Sequence, residues 1–287
     1  MLRTAPTTAL AARLPAQWLF VLGAISQYVG AALAVLLFAS VPAAGVAWLR
    51  VVAAAAVLVA WRRPWHTRWS AARLRLVAAF GLALALMNLC FYLAIDRLPL
   101  GTAVAIEFCG PIAVAALGSR TRRDVAALVV AAAGVLALAD VHVEGSPGGL
   151  ALAAAAGVLW AGYIVLGHRV AGDGGIRSQD GLALGMAIGA VGLAPVLATS
   201  AVPALVSPPL LAACLLVGVA SSVVPYALEQ VAMRRLPRAR FALLLALLPA
   251  TAAVVGAAIL GQVPGPVEAA GIALVVLAAS LRTHAQL

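Results

Sequence analysis

The chain has 287 residues, of which 65% are hydrophobic and only 10% are charged, and its mean hydropathy is +1.10. Because soluble domains keep about a quarter of their residues charged, this composition excludes a soluble globular protein. The formal net charge of +10 comes from arginines in short clusters between apolar runs, not on one basic face. This distribution excludes a nucleic-acid-binding protein and indicates a membrane protein.

Long apolar runs separated by short polar turns follow one another along the chain. Each run has about 20 residues without strict alternation, which is the pattern of membrane helices and not of barrel strands. The first run, after Arg3 and Arg13, is too long for the apolar part of a cleaved signal peptide. We therefore predict an all-α membrane protein with ten spans, over residues 17–39, 43–61, 72–95, 99–118, 122–140, 148–167, 181–200, 209–232, 238–259 and 266–282.

The arginines predict how these spans are oriented. If the N-terminus is cytoplasmic, 17 arginines face the cytoplasm, Arg97 alone faces the outside, and Arg50 lies within the second span. Short loops rich in arginine stay on the cytoplasmic side of a membrane. Both termini are therefore expected in the cytoplasm.

The two halves of the chain share a sequence pattern. Residues 94–99 (AIDRLP) match residues 232–237 (AMRRLP) at an offset of 138 residues, and the same offset pairs Pro111 with Pro249. Because the offset contains five spans, an odd number, the second half should be inverted relative to the first. Inverted repeats are typical of secondary transporters, which bind substrate between the halves. The predicted organisation is a cytoplasmic segment over 1–16, a first five-helix repeat over 17–140, an external linker over 141–147, a second five-helix repeat over 148–282 and a cytoplasmic tail over 283–287.

A ridge of small residues lies along the seventh span, at Gly181, Gly185 and Gly189. Such a ridge lets helices approach closely, either within one protomer or between two. The sequence therefore leaves both a monomer and a homodimer open.

Two residues of opposite charge are expected at matching depth in the membrane. Arg50 on the second span and Glu107 on the fourth each lie about 10–12 Å below the outer surface, at 1.5 Å per residue. Ionisable residues inside a span usually face the bundle interior. They either form a structural ion pair or bind a zwitterion, with Arg50 receiving a carboxylate and Glu107 receiving an ammonium group or a proton.

Prolines are expected to break or loosen three spans, at Pro111, Pro225 and Pro249. Pro111 cannot donate to the carbonyl of Glu107, so a kink there would free a backbone acceptor beside the carboxylate. Such a site either binds a cation or ammonium group, as broken helices do in transporters, or is an ordinary kink of a membrane helix. Pro249 frees the carbonyl of Leu245 in the same way, without an acid beside it.

Polar and aromatic side chains recur on one face of several spans. Asn88 and Tyr92 are four residues apart on the third span, and Trp160 and Tyr163 are three apart on the sixth. Glu229 lies close to a pair of arginines near the cytoplasmic end of the eighth span and is expected in a surface salt bridge. The other candidates for a polar cavity between the halves are Ser26, Gln27, Tyr28, Ser222, Tyr226 and Gln230.

No cofactor or metal site is predicted. The sequence has no CxxC or HExxH pattern, and Cys90, Cys109 and Cys214 lie inside apolar runs, where cysteine usually serves as a small apolar residue. The four histidines lie in loops or at span ends, and none is expected to be catalytic. Because no catalytic set of side chains lies at one depth, an enzyme is not expected.

The segment LPLGTAVAIEFCGP, residues 98–111, resembles the fourth-helix motif of bacterial threonine/homoserine exporters in the drug/metabolite transporter superfamily. Residues 225–229, the turn over 235–237, Asn88 to Leu93 and Ala47 to Arg50 are similar to other segments of that family. The resemblance implies ten spans in two repeats, cytoplasmic termini, the bacterial inner membrane and export of small amino acids.

Two positions depart from the family pattern. The family usually has an acid just before the proline that matches Pro249 and another in a Leu-Gly-Glu turn, where this chain has Leu248 and Gln262. If those acids carry protons in relatives, coupling here would depend on Glu107 or be absent.

The predicted function is therefore secondary transport: export of small amino acids or related metabolites by alternating access, either proton-coupled with Glu107 as carrier or as uniport. The predicted partners are an amino-acid substrate and the lipid bilayer. The alternative is an exporter of cationic drugs or other metabolites, which would bind cations at Glu107 and tolerate loss of Arg50. The residues predicted to bind substrate are Arg50, Asn88, Tyr92, Glu107, Trp160, Tyr163 and Tyr226.

Overall fold

The computed structural model describes residues 15–119, 121–142, 146–226, 228, 235 and 244–283, and all regular structure in these ranges is helical. Most of the predicted cytoplasmic segment 1–16 and of the tail 283–287 lies outside them. Glu229, Gln230 and the last two residues of the turn over 235–237 also lie outside the described residues.

Eleven α-helices can be bounded within the described ranges. A 3₁₀ turn over Pro64–His66 follows the second, and a π-helix over Val219–Val223 continues the ninth. The α-helices are α1 Ala16–Leu37, α2 Ala43–Arg62, α3 Ala71–Ile95, α4 Leu100–Glu107, α5 Cys109–Ser119, α6 Arg122–His142, α7 Pro147–Gly172, α8 Ser178–Leu205, α9 Pro208–Gly218, α10 Leu248–Leu260 and α11 Pro266–Thr283.

Six helices in the described part are long and apolar enough to cross a membrane, with mean hydropathies of 1.9 to 2.2 in their most apolar windows. They correspond to α1, α2, α3, α7, α8 and the segment Pro208–Tyr226, each of which coincides with a predicted span. Four shorter apolar helices occur over Leu100–Val114, Val125–Leu138, Leu248–Leu260 and Pro266–Leu281. The chain is therefore a multi-pass membrane protein.

Two of the predicted spans contain a break in the helix. The fourth is divided at Phe108 into α4 and α5, and in the ninth a turn at Ala246 and Leu247 precedes α10. Pro111 and Pro249 lie in the first turns of the helices that follow, where the missing backbone N–H costs least. The kinks expected from these prolines therefore take the form of new helix starts.

Helices distant in sequence pack closely against one another: α2 against α8, α3 against α7 and α8, and α6 against α11. Glycines permit these contacts because a Cβ atom would not fit. A Cβ on Gly185 would lie 3.0 Å from the Phe80 ring, and one on Gly189 would lie 2.7 Å from the carbonyl oxygen of Gly81. The glycine ridge of α8 thus packs on α3 within one protomer.

One buried carboxylate ties the turn between α2 and α3 to the start of α8. Asp180 is 0% exposed. It accepts hydrogen bonds from Arg62 Nε (3.2 Å), Thr67 Oγ1 (2.9 Å) and Arg177 Nε (2.8 Å). Its place in the first turn of α8 also suits the positive end of the helix dipole. These four residues, the Asp180 cluster, saturate the carboxylate with donors.

Candidate functional site

A polar cavity of about 60 Å³ lies among α1, α2, α3, α4 and α7. This volume holds a few water molecules. Arg50 and Glu107 are both buried in its wall. Arg50 lies on α2, which is long and apolar enough to cross a membrane, and Glu107 lies in the shorter apolar segment Leu100–Val114. The cavity is lined by Gln27, Tyr28, Ala31, Arg50, Met87, Asn88, Phe91, Glu107 and Trp160.

The guanidinium of Arg50 joins α2 to the π-helix. Its Nε donates to Ser222 Oγ and its Nη2 donates to the carbonyl oxygen of Ser221, both at 3.0 Å. Its Cζ lies 5.1 Å from the centre of the Tyr92 ring, close enough for a cation–π contact. Because an arginine has five N–H donors, about three remain for a ligand.

The acceptors at the π-helix arise from the backbone itself. Pro225 has no N–H, so it cannot donate to the carbonyl of Ser221, and Arg50 takes that acceptor. The N–H of Val224 bonds the carbonyl of Val219 instead of that of Ala220. The hydroxyl of Ser26 donates to this second free carbonyl at 2.7 Å. The loosening predicted at Pro225 is therefore a widened turn whose carbonyls are bonded by side chains of α1 and α2.

Glycine allows α1 to approach this turn. A Cβ on Gly30 would lie 2.8 Å from the Cβ of Ser221 and 2.9 Å from its backbone nitrogen. Cβ atoms in proteins essentially never approach other atoms this closely, so only glycine fits at position 30 without a shift of the helix. Position 30 thus fixes the distance between α1 and the segment that binds Arg50.

Glu107 is the last residue of α4, is 8% exposed and lines the cavity. None of the described residues donates a hydrogen bond to its carboxylate or forms an ion pair with it. Arg50 interacts with it electrostatically but is bonded to the π-helix instead. The two charges therefore do not form the structural ion pair that the sequence left open. A buried carboxylate without partners requires a cation or a proton.

The carbonyl freed by Pro111 does not stand open. A Cβ on Gly157 of α7 would lie 2.9 Å from the carbonyl oxygen of Glu107, so this oxygen contacts the α7 backbone. The next helical bond, from Ile112 N to Phe108 O, is long at 3.4 Å. The break thus serves close packing of α4 and α5 on α7, and the carboxylate is the group of Glu107 that lacks a partner.

The structure brings four of the seven predicted binding residues to the cavity wall: Arg50, Asn88, Glu107 and Trp160. Asn88 Nδ2 donates to the carbonyl of Leu84 at 2.8 Å, which leaves its amide oxygen open. The Trp160 ring packs edge-on against Phe108, with ring centres 5.5 Å apart.

The three tyrosines among the seven predicted binding residues do not line the cavity. Tyr92 lies beneath Arg50, fully buried, and its hydroxyl has no hydrogen-bond partner among the described residues. Tyr163 stacks on Phe80 with ring centres 5.0 Å apart, in the apolar packing between α3 and α7. Tyr226 follows the π-helix and Pro225 and is half-buried.

Several residues of the site were not among those predicted from the sequence. Ala31, Met87 and Phe91 line the cavity, and their spacing from Gln27 and Asn88 along α1 and α3 could have indicated them. Ser221 was missed although it lies four residues before Pro225, the position whose carbonyl a proline frees. Among the described residues, no group of three or more His, Cys, Asp or Glu side chains could hold a metal ion.

Residues 147–283 match the model of the EamA-like transporter family. The chain is 39% identical over 238 residues to the threonine/homoserine exporter RhtA of Salmonella typhimurium (strain SL1344), covering 81% of this chain and 79% of that protein. It is 36% identical over 254 residues to the protein of the same name from Escherichia coli (strain K12), covering 87% and 84%. A solved crystal structure superposes with a TM-score of 0.56 at 19% identity over 93% of this chain and 95% of that one, which shows a shared fold.

Proposed function

The chain belongs to the EamA-like transporter family, and we propose that it exports small amino acids or related metabolites across the bacterial inner membrane. The resemblance to threonine/homoserine exporters that the fourth-helix motif indicated is confirmed. The protein is a membrane transporter and not an enzyme.

The observation that carries the proposal is a pair of opposite charges that share one cavity without neutralising each other. Arg50 is bonded to uncharged groups and keeps free N–H donors, and the Glu107 carboxylate has no partner among the described residues. An amino acid supplies a carboxylate for the first and an ammonium group for the second. Guanidinium–carboxylate pairs are among the strongest hydrogen-bonded contacts in proteins.

We propose ten spans in two inverted repeats, over 17–140 and 148–282, joined by the external linker 141–147. Three observations support this arrangement. The helix breaks at Phe108 and Ala246 are 138 residues apart, the same offset that relates the two halves of the sequence. The family match begins and ends with the second repeat. Two of the helix pairs that pack most closely, α2 with α8 and α6 with α11, join equivalent helices of the two halves.

Substrate would cross by alternating access, with the cavity open first to one side and then to the other. Both termini are proposed to be cytoplasmic because of the arginine distribution. For uphill export we propose Glu107 as the proton carrier. The positions where the family usually has acids do not supply one: Leu248 is buried, and Gln262 Oε1 accepts a hydrogen bond from the backbone N–H of Leu100 at 2.9 Å.

Uptake of radiolabelled threonine into proteoliposomes tests the proposal, with Arg50→Ala and Glu107→Gln beside the wild type. Each substitution should lower saturable uptake at least about a hundredfold, because each removes a charge that the substrate would neutralise in a dry site. Arg97→Ala is the matched control, since Arg97 is exposed and, within the described part of the chain, its side chain bonds only the carbonyl of Leu93 in α3. If wild type transports no amino acid with or without a pH gradient, the proposal is wrong.

The same variants distinguish amino-acid export from the alternative, which is export of cationic drugs. One observation favours it: the Glu107 carboxylate, without a partner among the described residues, shares the cavity with Trp160, and an indole ring can bind a cation. A cation exporter should keep its transport of a lipophilic cation in Arg50→Ala and lose it in Glu107→Gln. An amino-acid exporter should lose transport in both.

A further inference from the structure

We propose that Gln27 is a specificity-determining residue that binds the side-chain hydroxyl of the substrate, so that the transporter prefers hydroxylated amino acids over apolar ones of the same shape. This inference rests on the proposed function, because it assumes that an amino acid occupies the cavity. It concerns a part of the substrate that Arg50 and Glu107 do not bind.

The Gln27 amide is open to a ligand. Gln27 lines the cavity and is half-buried, and no described residue donates to or accepts from its side chain. Its neighbour Ser26 donates instead to the carbonyl of Ala220. Of the two amides in the cavity wall, Asn88 already donates to Leu84, so Gln27 alone has both its oxygen and its NH₂ group open.

An open amide matches a hydroxyl group chemically. The amide oxygen accepts and the NH₂ group donates, and a hydroxyl can do either. If an apolar side chain occupied the same space, the amide would lose water without gaining a partner, which disfavours that substrate. Sites that hydrogen-bond a substrate hydroxyl for this reason reject the analogue that lacks it.

The large and apolar residues of the cavity wall limit the size of the substrate side chain and not its polarity. Met87, Phe91 and Trp160 are large, and with Ala31 they complete the lining beside the polar groups. None of these four side chains can accept a strong hydrogen bond. Trp160 can only donate through its indole N–H, and Asn88 already donates to Leu84. Gln27 has both a donor and an acceptor open, so we expect it to discriminate by polarity once Arg50 and Glu107 bind the backbone groups of the substrate.

Threonine and valine are the decisive pair, because valine has a methyl group where threonine has its hydroxyl. We expect wild type to take up threonine with about tenfold higher kcat/KM than valine. In Gln27→Leu the ratio should fall to about one, mainly through loss of threonine uptake. Gln27→Met, which keeps the length of the side chain, provides the same test if the leucine variant folds poorly. Gln17→Leu is the matched control, since it makes the same change on the exposed start of α1.

The outcomes separate the inference from the proposed function. Equal uptake of threonine and valine by wild type would overturn the role of Gln27 while leaving amino-acid export intact. A threonine preference that survives in both Gln27 variants would overturn it as well. Absence of any amino-acid uptake by wild type would instead reject the proposed function, and the inference with it.

Discussion

Glu107 in the cavity and Asp180 at the start of α8 are 8% and 0% exposed, but their surroundings differ completely. Asp180 accepts hydrogen bonds from Arg62, Thr67 and Arg177, whereas the Glu107 carboxylate has no partner among the described residues. Folding alone favours the first arrangement, because a buried charge without a partner is costly.

The arginines near these two acids, Arg62 and Arg50, differ in the same way. Arg62 is ion-paired with Asp180 at 3.1 Å, whereas Arg50 bonds an uncharged hydroxyl and a carbonyl although an acid shares its cavity. A protein that keeps opposite charges apart in its interior keeps both available for a ligand. We therefore expect changes in the Asp180 cluster to affect stability and changes around Arg50 to affect transport.

The largest effect on stability is expected from Asp180→Ala. The substitution leaves Arg62 and Thr67 without their acceptor and should lower the free energy of unfolding by about 2–3 kcal/mol, less than for a fully buried pair because the arginines can reach water. Thermal unfolding of the purified protein measures this. Asp96→Asn is a suitable control, since Asp96 is exposed in the turn after α3.

The rate of transport per folded molecule tests the same division between stability and transport. The fraction of the Asp180→Ala variant that folds should still transport threonine at a rate within about threefold of the wild-type rate. If folded variant protein is inactive, the division between a structural cluster and a functional cavity would be incorrect, and the Asp180 cluster would have to take part in the transport cycle.

A second prediction concerns the contact that positions the π-helix. In Gly30→Ala the new Cβ would lie 2.8 Å from the Cβ of Ser221, so α1 or the π-helix must shift, at a cost of about 1–3 kcal/mol. Because Arg50 donates to Ser221 and Ser222, the shift should also lower threonine uptake, by about tenfold. Gly192→Ala is the matched control, since a Cβ there meets no atom within 4 Å. Unchanged uptake in Gly30→Ala would show that transport does not depend on this anchor.

The sequence predicted the membrane helices well, for a physical reason. Lipid requires long apolar helices, so α1, α2 and α3 begin and end within two residues of the predicted spans. Arg50 and Glu107 were identified because ionisable groups are rare inside spans. Both predictions rest on the free-energy cost of placing polar groups in lipid, which leaves a recognisable pattern in the sequence.

Contacts between helices could not be predicted in this way. Whether Arg50 bonds Glu107 or Ser222 depends on how α2 meets the π-helix, and no local pattern encodes that. Tyr163 was expected in the cavity, but aromatic rings also pack well against each other, and Phe80 takes it. Asp180 was not noticed at all, because an acid near a span end is ordinary in sequence and becomes unusual only when the fold buries it.

The smallest predicted effect belongs to Asp173, a half-buried carboxylate between α7 and α8. The N–H of Gly175 and the side chain of Arg73 hold the pKa of Asp173 below its ordinary value. A lowered pKa in the folded state means that the group adds stability at neutral pH and loses it as the pH falls below about 4. The acid-induced drop in Tm should therefore be slightly smaller in Asp173→Asn, measured from pH 7 to pH 3. Identical pH profiles for variant and wild type would mean that this pair, unlike the Asp180 cluster, contributes nothing measurable, as many exposed ion pairs do.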